Sequence, residues 1–159
     1  MSNLESIIDR IEIEALCGEF TDAAMMDDYE RMAMLFTEDG VLRMPDANIV
    51  QVGREQIRAG SEQLQEQWEY FVQTTHPGMI QLDGDTAVGR AYISEIMRMR
   101  DGNSYVNYAI YHDRYQRTAD GWKFAERSYE VRYLDTTSLA GFDPRAAKAP
   151  TADNSSKGK

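Results

Sequence analysis

Asp27, His76 and Arg127 are polar side chains at positions where the hydrophobic pattern of this sequence calls for apolar ones. Burying a polar group without a partner costs roughly 2–7 kcal/mol, so such residues mark the wall of a polar pocket. A carboxylate and an imidazole are the usual acid–base groups, and a guanidinium holds anions. Asp27 closes a stripe formed by Leu16, Phe20, Ala23 and Ala24 at helical spacing. It is also placed to help cap the helix that follows, as Asp28 can do alone. Counting back by twos from Leu82 through Ile80 and Gly78 puts His76 on the same strand face. A histidine hydrogen-bonded in the core, with no chemical role, fits that pattern as well. Arg127 alternates with Ala125, Tyr129, Val131 and Tyr133, and either reaches the sheet edge or meets an anion inside. His112 shares a face with Val106, Tyr108 and Ile110 and is a rival pocket residue, or else pairs at the surface beside Asp113 and Arg114.

The elements that must position these residues are legible in the same way. Helical spacing runs from about Leu4 to Met26, with Ser2 or Asn3 as cap. A short helix follows from Tyr29 to Phe36, then a short strand at Val41–Met44 and a third helix from Gly53 to Trp68. The period then changes to two. Strands are predicted at Gly78–Leu82, Thr86–Met99, Tyr105–Arg117 and Trp122–Leu134, separated by Asp-Gly and Asn-containing turns. Helices followed by a meander imply α+β, with helices on one face of an antiparallel sheet. From Asp143 onward no large apolar residue occurs, and residues 143–159 read as a disordered tail to a single domain of residues 1–142.

Composition excludes several classes of function. The formal net charge is −10, which disfavours nucleic acid and anionic membranes as partners. Two histidines and one cysteine make a metal site of that type unpromising, and Cys17 reads as a small buried hydrophobe. The N-terminal residues lack a signal-peptide pattern and no apolar run is long enough to span a bilayer, so a cytoplasmic location is expected.

The segments FTDAAMMDDYERMAMLFTEDGVL, TTHPGMIQLDGDTAVGRAY and RYQRTADGWKFAERSYEVRY resemble the SnoaL-like branch of the nuclear-transport-factor-two-like superfamily, over about residues 4–142. The resemblance implies a cone-shaped α+β barrel, with a curved antiparallel sheet wrapped by three helices. It is strongest toward the lyase group that holds the hexachlorocyclohexane dehydrochlorinase, scytalone dehydratase and the bile-acid dehydratase. By that resemblance Asp27 and His76 form a general-base dyad, and Arg127 stabilises the developing anion. Two features depart from the group: Asp22 lies where the dehydrochlorinase offers a lysine, and Met26 precedes Asp27 where scytalone dehydratase has a tyrosine. The resemblance implies a cofactor-independent elimination on a small hydrophobic ring compound, with isomerase, cyclase or plain binding module as alternatives. Trp68, Phe71, Met97, Tyr111, His112 and Tyr129 are the expected pocket lining, with Met25 and Met79 as further apolar wall. Val88, Tyr92 and Ile96 on the other sheet face favour a homodimer or homotrimer.

Overall fold

The computed structural model describes residues 3–146; most of the expected tail, residues 147–159, lies outside the described residues. Helix α1 (Asn3–Met25) leads into a short α2 (Tyr29–Met34), capped by Asp28, whose Oδ1 accepts from the Arg31 amide. Strand β1 (Phe36–Met44), one 3-10 turn at Pro45–Ala47, β2 (Ile49–Val52) and α3 (Arg54–Glu66) follow. Four long strands complete the chain: β3 (Trp68–Asp83), β4 (Thr86–Met99), β5 (Ser104–Thr118) and β6 (Gly121–Asp135).

The expected α+β architecture with three helices is present. The six strands form one sheet in the order β2-β1-β6-β5-β4-β3. It is mixed rather than wholly antiparallel, because β1 runs parallel to β6. It also stays open, with β2 and β3 as its edges, rather than closing into a barrel. Pairing of β1 with β6 is remote in sequence, while Thr37-Glu38-Asp39-Gly40 reads locally as a turn, so only the second half of β1 was predicted. Strand β3 is longer than predicted. Its first half, Trp68–Thr75, is rich in aromatic and β-branched residues that favour a strand, and α3 stops at Glu66.

The helices pack on one face of the sheet. Ile13, Phe20, Phe36, Leu42, Ile57 and Phe124 form the centre of the core, each 3% exposed or less. Cys17 is buried as expected, its Sγ 3.4 Å from the Tyr115 hydroxyl. The other face carries Val88, Tyr92, Ile96 and Tyr108 in exposed positions.

One ion pair fixes the start of α1 on the sheet. Arg117 donates from both terminal nitrogens to Asp9, at 2.7 and 2.8 Å, and Trp122 donates its indole N–H to the same carboxylate at 2.9 Å. These donors, Arg117 foremost, hold the Asp9 carboxyl below its ordinary value of 3.8. A depressed carboxyl stabilises the fold above the unfolded value and loses that contribution as pH falls through the folded one. Asp9→Asn is therefore expected to melt below the parent at neutral pH. The gap should close on acidification below the ordinary carboxylate range, which melting curves across that range will read; a gap that does not change with pH contradicts this account.

Candidate functional site

A cavity of about 440 Å³ lies between the helices and the inner face of the sheet. Trp68 and Phe71 of β3, stacked with ring centroids 4.1 Å apart, form one wall. Met97 of β4, Tyr111 of β5 and Tyr129 of β6 form another, and Phe20 and Tyr29 close the helical side. Trp68, Phe71, Met97, Tyr111 and Tyr129 therefore lie where sequence reasoning expected them.

The polar end of this apolar cavity is built around Glu95. Along β4 the inward residues are Ala87, Gly89, Ala91 and Ile93, and the same alternation places Glu95 and then Met97 on the inner face. Glu95 is 7% exposed. Gln73 donates its amide to Glu95 Oε1 at 2.8 Å, and the Tyr129 hydroxyl donates to Oε2 at 2.9 Å. The Thr21 hydroxyl donates in turn to Gln73 Oε1 at 2.6 Å, which leaves the Gln73 amide N–H₂ turned toward Glu95. Asn107 joins from β5, with its amide 3.5 Å from the Tyr129 hydroxyl. Burial pushes the Glu95 carboxyl above its ordinary value, and the donors from Gln73, Tyr129 and Asn107 only partly offset it. The Tyr129 and Tyr111 hydroxyls are raised too, chiefly by burial. The result is a carboxyl held above its ordinary value at the end of an apolar chamber.

The residues expected to form the base are not brought together. Helix α1 ends at Met25, and Asp27 takes a left-handed conformation with φ 55°. The Asp28 amide then bonds back to the Ala23 carbonyl at 2.9 Å and that of Asp27 to Ala24 at 3.3 Å, a Schellman-type ending. The helical count thus stops short of Asp27, whose exposed carboxylate accepts from the Tyr29 hydroxyl at 3.3 Å. Thr21, not Asp27, is the polar residue that α1 turns into the site.

His76 lies on the outer face. Between Pro77 and Ile80 strand β3 carries one extra residue relative to β4, since Pro77 pairs with Ala91 and Ile80 with Gly89. A bulge of this kind reverses which residues face inward. Gly78 permits it, because a Cβ there would collide with the Arg90 carbonyl. Counting back from Leu82 across the bulge selects His76; counting within the first half of β3 selects Gln73. His76 instead borders an outer concavity with Tyr92, Tyr108 and Arg132. His112 is also outside, 2.6 Å from Glu130. Met79 is outside as well, while Met25 accepts the Gln73 backbone N–H at its sulfur, 3.2 Å away.

Arg127 is 0% exposed and does face the core, but it has a partner. Its Nε and Nη2 donate to Asp113 on β5 at 2.8 and 3.1 Å. Tyr115 donates to the same carboxylate at 2.9 Å. The guanidinium carbon lies 4.5, 3.9 and 4.2 Å from the rings of Phe20, Tyr111 and Phe124. Burial, the largest single effect, lowers the Arg127 pKa, but Asp113 and the neighbouring groups together outweigh it and the net shift is upward. Arg127 does not line the cavity, although Phe20 and Tyr111, on whose rings it packs, do; its Nη1 is buried without a hydrogen-bond partner. Among the described residues no group of three or more His, Cys, Asp or Glu side chains gathers to hold a metal, and no helix is long and apolar enough to cross a membrane.

Solved structures with the same fold include the hexachlorocyclohexane dehydrochlorinase LinA-type3 from Novosphingobium barchaimii LL02. It is 19% identical, with 89% of this chain and 97% of that one covered and a TM-score of 0.79. A candidate scytalone dehydratase from Novosphingobium aromaticivorans DSM 12444 is 18% identical, covering 87% and 93%, at TM-score 0.74. A candidate aromatic ring hydroxylase from Novosphingobium aromaticivorans is 25% identical, covering 82% and 94%, at TM-score 0.76. No curated protein matches the sequence. The family model of the SnoaL-like domain matches residues 5–128, the span that carries Thr21, Gln73, Glu95, Asn107 and Arg127, and the chain therefore belongs to the SnoaL-like family.

Proposed function

We propose that this protein is a cofactor-independent, lyase-type enzyme in which Glu95 takes a C–H proton from a small, ring-bearing apolar substrate. The observation that carries the reading is a buried carboxyl, raised by desolvation, at the end of a largely apolar chamber. Catalytic bases work best with a pKa near the working pH, and burial is one way to bring a carboxyl there. Gln73 and Tyr129 hold the two oxygens in place and favour the ionised form that accepts the proton. The substrate then loses a leaving group from the neighbouring carbon or regains the proton elsewhere, which separates elimination from isomerisation. Structural neighbours named as a dehydrochlorinase and a dehydratase support the first outcome.

A non-catalytic binding module is the second reading. It is favoured by one observation, that neither histidine of the chain lines the cavity. Incubation in deuterated water with a panel of ring ketones, hydroxyketones and cyclic imines distinguishes the two. The enzyme reading expects deuterium in recovered substrate, or a product short of water or halide, by mass spectrometry. Ligands that bind and are returned unlabelled and intact across the panel would establish the binding module instead.

A further inference from the structure

Removing a proton from an uncharged carbon acid leaves negative charge on the substrate. Enzymes place cations or oriented donors where that charge grows. This cavity lacks the cation. Among the described residues that line it there is no Arg, Lys or His, and its charged members are the carboxylates Glu95 and Asp46. Arg127 does not line it: its guanidinium packs on the rings of Phe20 and Tyr111, and its Nε and Nη2 are held by Asp113, with Nη1 buried and unpaired. The Gln73 amide and the Tyr129 hydroxyl are already given to Glu95. The wall is aromatic, and ring faces attract positive charge most strongly where water is excluded. A net charge of −10 adds a long-range pull on cations.

We propose that the cavity takes a ring-bearing organic cation, such as a cyclic iminium ion, whose positive nitrogen pairs with Glu95 and packs on Trp68, Phe71, Tyr111 and Tyr129. This rests on the proton-transfer reading above for its chemistry, though not for its binding. In the step, Glu95 takes the proton from the carbon beside the C=N⁺ group. The C–H electron pair becomes the new C=C bond, and the C=N pair moves onto nitrogen. An iminium and a carboxylate become a neutral enamine and a neutral carboxylic acid, and Glu95 later releases its proton to solvent. Two buried opposite charges cancel, so no anion develops and no stabilising cation is needed.

The test is a charge series of one shape. Naphthylmethylamine, naphthylmethanol and naphthoate are titrated into the full chain by calorimetry near neutral pH. The amine is expected to bind roughly tenfold or more tighter than the alcohol, and naphthoate weakest. Glu95→Gln should erase the preference for the amine over naphthylmethanol. Should that variant fail to fold, naphthylmethyl-trimethylammonium, charged at every pH, is titrated into the unaltered protein. Its affinity should fall on acidification as Glu95 protonates. Tyr111 and Tyr129 flank Glu95 and stay protonated throughout, Thr21, Gln73 and Asn107 do not titrate, and Asp46→Asn should retain the response. Alcohol binding equal to or tighter than amine binding, an amine preference that survives Glu95→Gln, or a pH-independent affinity for the quaternary probe overturns the proposal. Solvent exchange separates it from the broader reading. Amine preference without exchange into a dihydroisoquinolinium ion that carries its methyl on the C=N carbon leaves the ligand class standing and the proton-transfer step refuted; exchange into neutral ketones alone does the reverse.

Discussion

Arg127→Met should be among the most destabilising single substitutions in this protein. Arg127 and Asp113 are a fully desolvated pair joined by two hydrogen bonds. Removing one partner leaves the other as an uncompensated buried charge, at a cost of about 3–5 kcal/mol. For a domain of this size that corresponds to a fall on the order of 10 °C in melting temperature. The cation–aromatic contacts with Phe20, Tyr111 and Phe124 are lost in the same step. The double variant Arg127→Met with Asp113→Leu should recover much of the loss, since two apolar side chains leave no orphaned charge. Tyr115 would lose its acceptor in that variant but keep the Cys17 sulfur within 3.4 Å. Melting of the two variants beside the parent decides the matter. A single variant as stable as the parent, or a double variant no better than the single, rules out the account. It also separates two roles for Arg127: a residue that only stabilised a developing anion would cost turnover and leave the melting temperature alone.

Polar residues on inward faces do line the cavity, as Glu95, Gln73 and Asn107 show, but Asp27 and His76 are not among them, for reasons visible in the backbone. Arg127 was correctly placed inside. Its partner Asp113 lies on the neighbouring strand, directly across in register with Arg127, and no count along a single strand reaches it. His76 is turned outward by one extra residue at a bulge, and Asp27 by a helix that ends two residues before it, leaving it in a left-handed turn. Pro77-Gly78 is a sequence sign of the bulge, since both residues mark irregular strand positions; the left-handed ending at Asp27 carries no glycine to announce it. Glu95 was different. The alternation Ala87, Gly89, Ala91, Ile93 leads straight to it, and carrying the count one step further would have found it. The aromatic lining was readable because long strands keep their parity away from bulges, as Tyr111 and Tyr129 show.

Glu95→Gln is expected to reduce turnover by roughly 10²–10⁴-fold, the usual worth of a positioned general base. The replacement keeps the shape and a carbonyl oxygen to accept one of the two donors from Gln73 and Tyr129. It cannot accept a proton. The pH dependence follows from the raised carboxyl. In the parent, activity requires the ionised form, so the rate should fall as pH drops through the Glu95 midpoint, and the variant should lack that limb. Stability runs the other way. A carboxyl whose folded value is raised above the unfolded one binds its proton more tightly in the native state. Its favourable contribution is present below the unfolded value and is lost as pH rises through the folded one. Above that midpoint the parent therefore carries a poorly solvated charge that the variant does not, and Glu95→Gln should melt at a higher temperature. Loss of activity coupled to a gain in stability is the signature of a group held in an unfavourable setting for its chemistry. Single-turnover rates and melting curves taken across the same pH range test both halves. A variant that retains full turnover shows that Glu95 is not the base. A variant that melts lower at every pH shows that its carboxylate is a structural partner of Gln73 and Tyr129 rather than a reactive group.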